Sequence, residues 1–261
     1  MDRSNIEKIA KAPEDRMLLA KIWDKISTGM RKNILSYSCF LSPRELEMTR
    51  YLFGNPEGLH ACGGYPDAER KMLVYLPDYL DADFLTDEDA PIICLRADFY
   101  EGDNPSHRDF LGALMGVGIA RETVGDICVG NGYCIFYVTP EIAPYVLQNF
   151  TSAGRTKLRL NQIPLAEADI PLPETKEIRD TVASVRLDSI LSSGFRIGRS
   201  AAAQYITSGR VSIDGLPCEK PDRIVAEGAK LSVRGLGKIK LAAINGETKK
   251  GRISVTIHRY I

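Results

Sequence analysis

The sequence predicts an α+β, multidomain protein: a helical and mixed N-terminal domain over 1–89, a ferredoxin-like (RNA-recognition-like) middle domain over 90–168, and a small basic domain over 181–261. Three observations predict it. First, charge is segregated in a chain of zero formal net charge. Residues 181–261 carry 14 Lys and Arg against 6 Asp and Glu, a net +8, which leaves −8 on the rest. Second, from Pro91 to Leu165 the hydrophobic pattern changes period in the order strand, helix, strand, strand, helix, strand, that of a split βαβ sandwich. Third, the basic segment carries two short helix patterns, turns and strands, so it reads as a folded module and not as a charged tail.

The elements follow in order. Ile6, Ile9 and Ala10, then Met17, Leu18, Ala20, Ile22 and Trp23, recur at helical spacing, interrupted by Pro13. Ser42-Pro43-Arg44-Glu45 opens another helix, with Ser42 as N-cap and Glu45 as its capping-box acid, running to a stop at Gly54. Gly63-Gly64-Tyr65-Pro66 is a turn before a strand over 70–77, and the acidic stretch from Asp78 to Ala90 is a linker or solvated edge. Ile92 to Tyr100 is the first strand of the middle domain, and Ser106 caps its first helix. Gly130-Asn131-Gly132 joins two strands as a hairpin. Pro140 starts the second helix, and Thr156 to Leu160 closes the set. Pro171, Pro173, Glu174 and Glu177 lie in a connector.

Composition bounds the function. With 261 residues and 44% hydrophobic side chains the chain can bury more than one core. No apolar run reaches the length of a membrane span, and the N-terminus Met1-Asp2-Arg3 lacks the look of a signal segment. Cys39, Cys62, Cys94, Cys128, Cys134 and Cys218 show no C-x-x-C pair and no metal-ligand spacing, so reduced thiols in a cytoplasmic protein are expected, with no metal and no cofactor.

In the basic module, Arg186-Leu187-Asp188 starts a helix ended by Gly194. Arg199 to Ser208 forms a second helix stopped by Gly209, Arg210 opens a strand, and Asp214-Gly215 makes a tight hairpin. Those residues, with Phe195, Ser200 and the Ile206-Thr207-Ser208-Gly209-Arg210-Val211 segment, resemble the alpha-L RNA-binding domain first described in the fourth protein of the small ribosomal subunit. The resemblance runs to about Val233. It departs at Gly198, where the family usually has Ser, and at Asp214, where it usually has Asn. Neither departure removes a basic side chain. Upstream, Gly63-Gly64-Tyr65, Ala68-Glu69-Arg70-Lys71, Leu76-Pro77-Asp78-Tyr79, His107-Arg108-Asp109-Phe110-Leu111-Gly112-Ala113-Leu114, Gly118-Ile119-Ala120-Arg121-Glu122 and Gly125-Asp126-Ile127 resemble the bacterial YlmH family, over nearly the whole chain. That resemblance implies RNA binding on the large ribosomal subunit in the rescue of obstructed particles, and a link to the cell-division gene cluster.

The candidate RNA contacts are Arg186, Arg199 and Arg210, whose forked guanidinium groups suit phosphates, with Arg196, Ser200 and Gln204 along the same rim. Lys238 and Lys240 either extend that basic edge or are charges protecting an edge strand. Three sites read more simply as structure. His107-Arg108-Asp109 is a helix-start cluster, Cys62 near His60 is a structural thiol in a turn, and one of Phe136 and Tyr137 must face the core. No catalytic constellation stands out, so the partner expected is structured RNA, rRNA or tRNA, with an RNA-modification accessory or a division-linked protein-interaction module as alternatives.

Overall fold

Pro13, lacking an N–H, is compatible with a helix only in its first turn. The chain accordingly forms a short α1 (Ile6–Ile9) and then α2 (Pro13–Lys32) with Pro13 at its start. The computed structural model describes residues 3–87, 89–171, 174–248 and 251–261; Met1, Asp2 and the connector's Pro173 lie outside the described residues. Strand β1 (Ser36–Tyr37) leads to α3 (Pro43–Phe53). There Glu45 Oε2 accepts the Ser42 N–H at 2.7 Å, the Ser42 hydroxyl accepts the Glu45 N–H at 3.4 Å, and Gly54 ends the helix at φ 68°. Strands β2 (Leu59–Cys62) and β3 (Met72–Tyr75) complete an antiparallel sheet in the order β1-β3-β2.

The middle segment contains β4 (Ile93–Asp98), α4 (His107–Gly116), β5 (Val124–Val129), β6 (Tyr133–Val138), α5 (Ala143–Asn149), β7 (Ser152–Ala153), β8 (Thr156–Lys157) and β9 (Arg159–Ile163). Its four-stranded antiparallel sheet runs β5-β6-β4-β9, which is the connectivity of a split βαβ sandwich. Two expected boundaries shift. Helix α5 starts at Ala143, with Pro144 in its first turn, and not at Pro140. A start at Pro140 would have placed Pro144 where its ring meets the carbonyl four residues back. The closing strand is β9, paired with β4, while Thr156 and Lys157 pair with β7 in a separate ribbon.

The segments on either side of residue 90 share a core. They lie in one compact unit, Met1–Leu172, and the second unit is Pro173–Ile261. Leu73 faces α1, α2 and α3, whereas Met72 and Val74 point the other way, onto Phe40, Ile92, Cys94, Ile135 and Tyr137. A strand buried on both faces reads as an unbroken apolar run, as Met72-Leu73-Val74 does. The acidic stretch from Asp78 joins this core through Phe84 and Leu85, so it is more than a solvated edge. Phe136, one residue from Tyr137, points into the core beneath α4 and α5. Both aromatics are fully buried, because the middle sheet carries a core on each face.

The second unit comprises β10 (Thr175–Val182), α6 (Leu187–Phe195), α7 (Arg199–Thr207), β11 (Val211–Ile213), β12 (Leu216–Pro217), β13 (Lys230–Val233), β14 (Gly237–Glu247) and β15 (Ile253–Tyr260). One antiparallel sheet runs β10-β15-β14-β13-β11-β12. Leu187, Ile190, Leu191 and Phe195 of α6 and Ala202 and Ile206 of α7 pack on Leu231, Val233, Ile239, Leu241, Val255 and Ile257. Asp214 and Gly215 at φ 49° and 80° form the tight turn joining Ile213 to Leu216, a pair of positive φ values typical of two-residue hairpins. Gly194 does not end α6, which continues to a left-handed Arg196 at φ 54°. Gly194 is instead where the helix meets the sheet: a Cβ there would lie 2.5 Å from Ile239 Cδ1.

Candidate nucleic-acid interface

The starts of α6 and α7 converge on one carboxylate. Asp188 sits in the first turn of α6, where its charge suits the positive helix end, and its side chain is only 8% exposed. Arg186 reaches it from the N-cap position with Nε–Oδ1 3.3 Å, and Arg199 reaches it from the first position of α7 with Nη2–Oδ2 2.9 Å and Nε–Oδ2 3.0 Å. The arginine side chains remain 38% and 53% exposed. Each guanidinium has five N–H donors and spends only part of them on Asp188, so outward donors remain for an anion. The carboxylate thus restrains two cations side by side that would otherwise repel. Gly198 precedes α7 without a side-chain cap, so the helix's first N–H groups have no hydroxyl competing for them.

Arg196, at the end of α6, shares with Arg199 a depression of about 340 Å³ lined also by Ser189, Ser192 and Arg252. Arg252 comes from the loop before β15 and is fixed by donating to the Thr181 carbonyl and, at 3.0 Å, to Thr181 Oγ1. Ser200 and Gln204, four residues apart on α7, are both exposed and lie on one helix face. Arg210 stands beyond the far end of α7, its guanidinium 5.7 Å from the Tyr205 ring centre. The rim expected from sequence is therefore a tight arginine cluster at one end of α7, with Arg210 at the other end. Lys238 and Lys240 are not on it. They lie on β14, an interior strand between β13 and β15, with side chains pointing away from the helices, so the edge-strand reading does not apply.

Sequence reasoning missed the role of Asp188, although Arg-Leu-Asp was visible; pairing with Arg199 depends on how the helices pack. Arg252 gave no local signal, because its contact with Thr181 spans 71 residues.

In the first unit, the candidate motifs build structure. Asp109 closes a second capping box, accepting the Ser106 N–H at 2.8 Å, and that bonding lowers its pKa from the usual carboxylate value. Cys62 ends β2 and does not lie in a turn, and burial raises its pKa, as it raises Cys128 to about 11 and Cys94 to about 12. These are protonated thiols, not activated nucleophiles. Gly64, at φ 91°, passes so close to the sheet that a Cβ would lie 2.5 Å from the Tyr137 ring, and a Cβ on Gly125 would lie 2.7 Å from Phe40. Asp126 accepts from the Tyr65 hydroxyl at 2.8 Å and from the N–H groups of Glu69 and Arg70 at 2.7 and 3.0 Å. Arg70 in turn donates to the Phe40 and Val124 carbonyls. Tyr65 stacks on Tyr137 with ring centres 5.5 Å apart. The Gly-Gly-Tyr and Gly-Asp motifs thus fasten the N-terminal segment over the sheet face opposite α4 and α5. RNA-recognition modules present stacking aromatics on their sheet; Tyr137, on that sheet face, is covered here.

Among the described residues, no His, Cys, Asp and Glu group is arranged to hold a metal ion, and no helix is long and apolar enough to cross a membrane.

Comparison with known proteins matches two separate segments of the chain. A family model described as a putative RNA-binding domain in YlmH matches residues 103–167, and the S4 domain model matches residues 185–231. The ribosome-associated protein quality control protein P2 of Bacillus subtilis (strain 168) is 35% identical over 221 residues, covering 84% of this chain and 85% of that protein. A solved structure, the cell division protein ylmH from Streptococcus pneumoniae, aligns at 21% identity with a TM-score of 0.48, over 61% of this chain and 96% of that one. With the S4 (alpha-L) match on its C-terminal unit and a curated relative similar over most of both lengths, the chain belongs to the YlmH family of RNA-binding proteins.

Proposed function

We propose that this protein is a non-enzymatic factor that binds structured rRNA or tRNA on the large ribosomal subunit, in the cytoplasm, as part of ribosome-associated quality control. One observation carries the reading: the buried Asp188 holds Arg186 and Arg199 together at the converging helix starts, and Arg196 lines the same depression as Arg199. A solvated pair of surface arginines would need no shared buried acid. Two guanidinium groups fixed side by side suit phosphate oxygens, and ordering them in advance removes part of the entropic cost of binding. The name of the Bacillus subtilis relative supports the ribosomal setting. Burial holds the Cys62, Cys94 and Cys128 thiols in their protonated form.

In this account Arg199, Arg186 and Arg196 make the main contacts, with Ser200, Gln204 and Arg210 along α7. Arg199→Glu is expected to weaken RNA binding and to reduce the slope of log affinity against log salt by about one, the signature of one lost phosphate contact. Filter binding of labelled large-subunit rRNA at several salt concentrations measures both. Unchanged affinity and slope would remove Arg199 from the interface.

A further inference from the structure

The sheet of the second unit carries its helices on one face only. Leu231, Val233, Ile239, Leu241, Val255 and Ile257 point to that side, so their strand neighbours point to the other. Across the strands on that helix-free side, Lys230 pairs directly with Lys240, Lys240 with His258, and His258 with Glu177. In the adjacent row Ser212 pairs with Ser232 and Ser232 with Lys238, whose ammonium lies 5.8 Å from the centre of the Tyr260 ring.

This arrangement is unfavourable in the protein alone. Neighbouring strands lie about 4.8 Å apart, and like charges directly opposite one another destabilise a sheet. The acid in the row does not relieve the lysines. Glu177 sits on β10 at the sheet edge, bonds Arg179 at 2.7 Å and comes within 3.9 Å of His258. Asp214 accepts the backbone N–H of Lys230 at 2.8 Å. Neither Lys230 nor Lys240 enters an ion pair among the described residues. Edge protection does not account for them, since β13 and β14 are both interior strands.

We infer that the helix-free face of this sheet is a second RNA-backbone site, in which phosphates lie over Lys230, Lys240 and Lys238 beside Tyr260. The inference rests on the RNA-binding reading above but assigns a surface distinct from the arginine cluster. Most of it, β14 and β15, lies outside the residues matched by the S4 model. A basic sheet with an aromatic at one end suits a backbone that also offers a base for stacking.

The test uses the full chain and labelled large-subunit rRNA. The double variant Lys230→Gln/Lys240→Gln is expected to melt no lower than the parent and to lower the salt slope by about two. Lys240→Glu places an acid directly opposite Lys230, so it should melt no lower than the parent while binding RNA more weakly. If both variants bind with unchanged affinity and slope while Arg199→Glu loses binding, the second site is overturned and the arginine cluster stands. If the parent chain itself shows no salt-dependent RNA binding, the underlying RNA reading fails.

Discussion

Replacing Asp188 by Asn is expected to weaken RNA binding about tenfold, although it removes a negative charge from the binding surface. Two effects oppose each other. Relief of repulsion between a carboxylate and a phosphate about 7 Å away in water amounts to about 0.6 kcal/mol before screening, and less at physiological salt. Against it stands the ordering of two long side chains, at about 0.5–1.5 kcal/mol each. Arg186 and Arg199 are both tied to Asp188, so loss of that restraint exceeds the Coulombic gain. Direct titration of labelled rRNA by anisotropy measures the result, with circular dichroism confirming that the variant is folded. Stronger binding by Asp188→Asn would mean that the carboxylate merely dilutes the charge of the patch.

Tyr137→Ala is expected to destabilise the first unit by about 3–5 kcal/mol, the range for removing a large buried aromatic. For a unit of this size that lowers its melting temperature by about 10 °C. Tyr137 is fully buried, stacks on Tyr65 and limits how closely Gly64 can approach. RNA affinity of the second unit should stay unchanged at temperatures where the first unit remains folded. Calorimetry paired with RNA titration checks both halves. Weaker RNA binding with an unchanged melting temperature would make Tyr137 a stacking residue on an open sheet face, contrary to the covered face described above.

Local signals were readable where local chemistry decides the structure. The Ser42–Glu45 capping box and the Asp214-Gly215 turn need only a few adjacent residues, and both form where expected. The alternation of strand and helix patterns likewise carries the element order of the middle sheet, whereas the proline that opens α5 is Pro144 and not Pro140. What the sequence hid depends on distant pairing. Lys238 and Lys240 look like edge residues until β15 and β10, which come from opposite ends of the unit, extend the sheet beside β14. Burial of both Phe136 and Tyr137 follows from a second core laid down by residues nearly 100 positions earlier, such as Phe40. The arginines of the candidate site were legible as charge. Their shared partner Asp188 was visible only as part of Arg-Leu-Asp, because helix packing, not spacing, brings Arg199 to it.

The proposed function requires that this chain bind the large ribosomal subunit through the arginine cluster at the starts of α6 and α7. Sedimentation of the purified protein with separated ribosomal subunits at physiological salt tests it most directly. The protein is expected to migrate with the large subunit, and an Arg186→Ala/Arg199→Ala double variant, shown to be folded, to stay near the top of the gradient. Absence of the parent protein from the large-subunit fractions would contradict it, as would equal migration of the double variant.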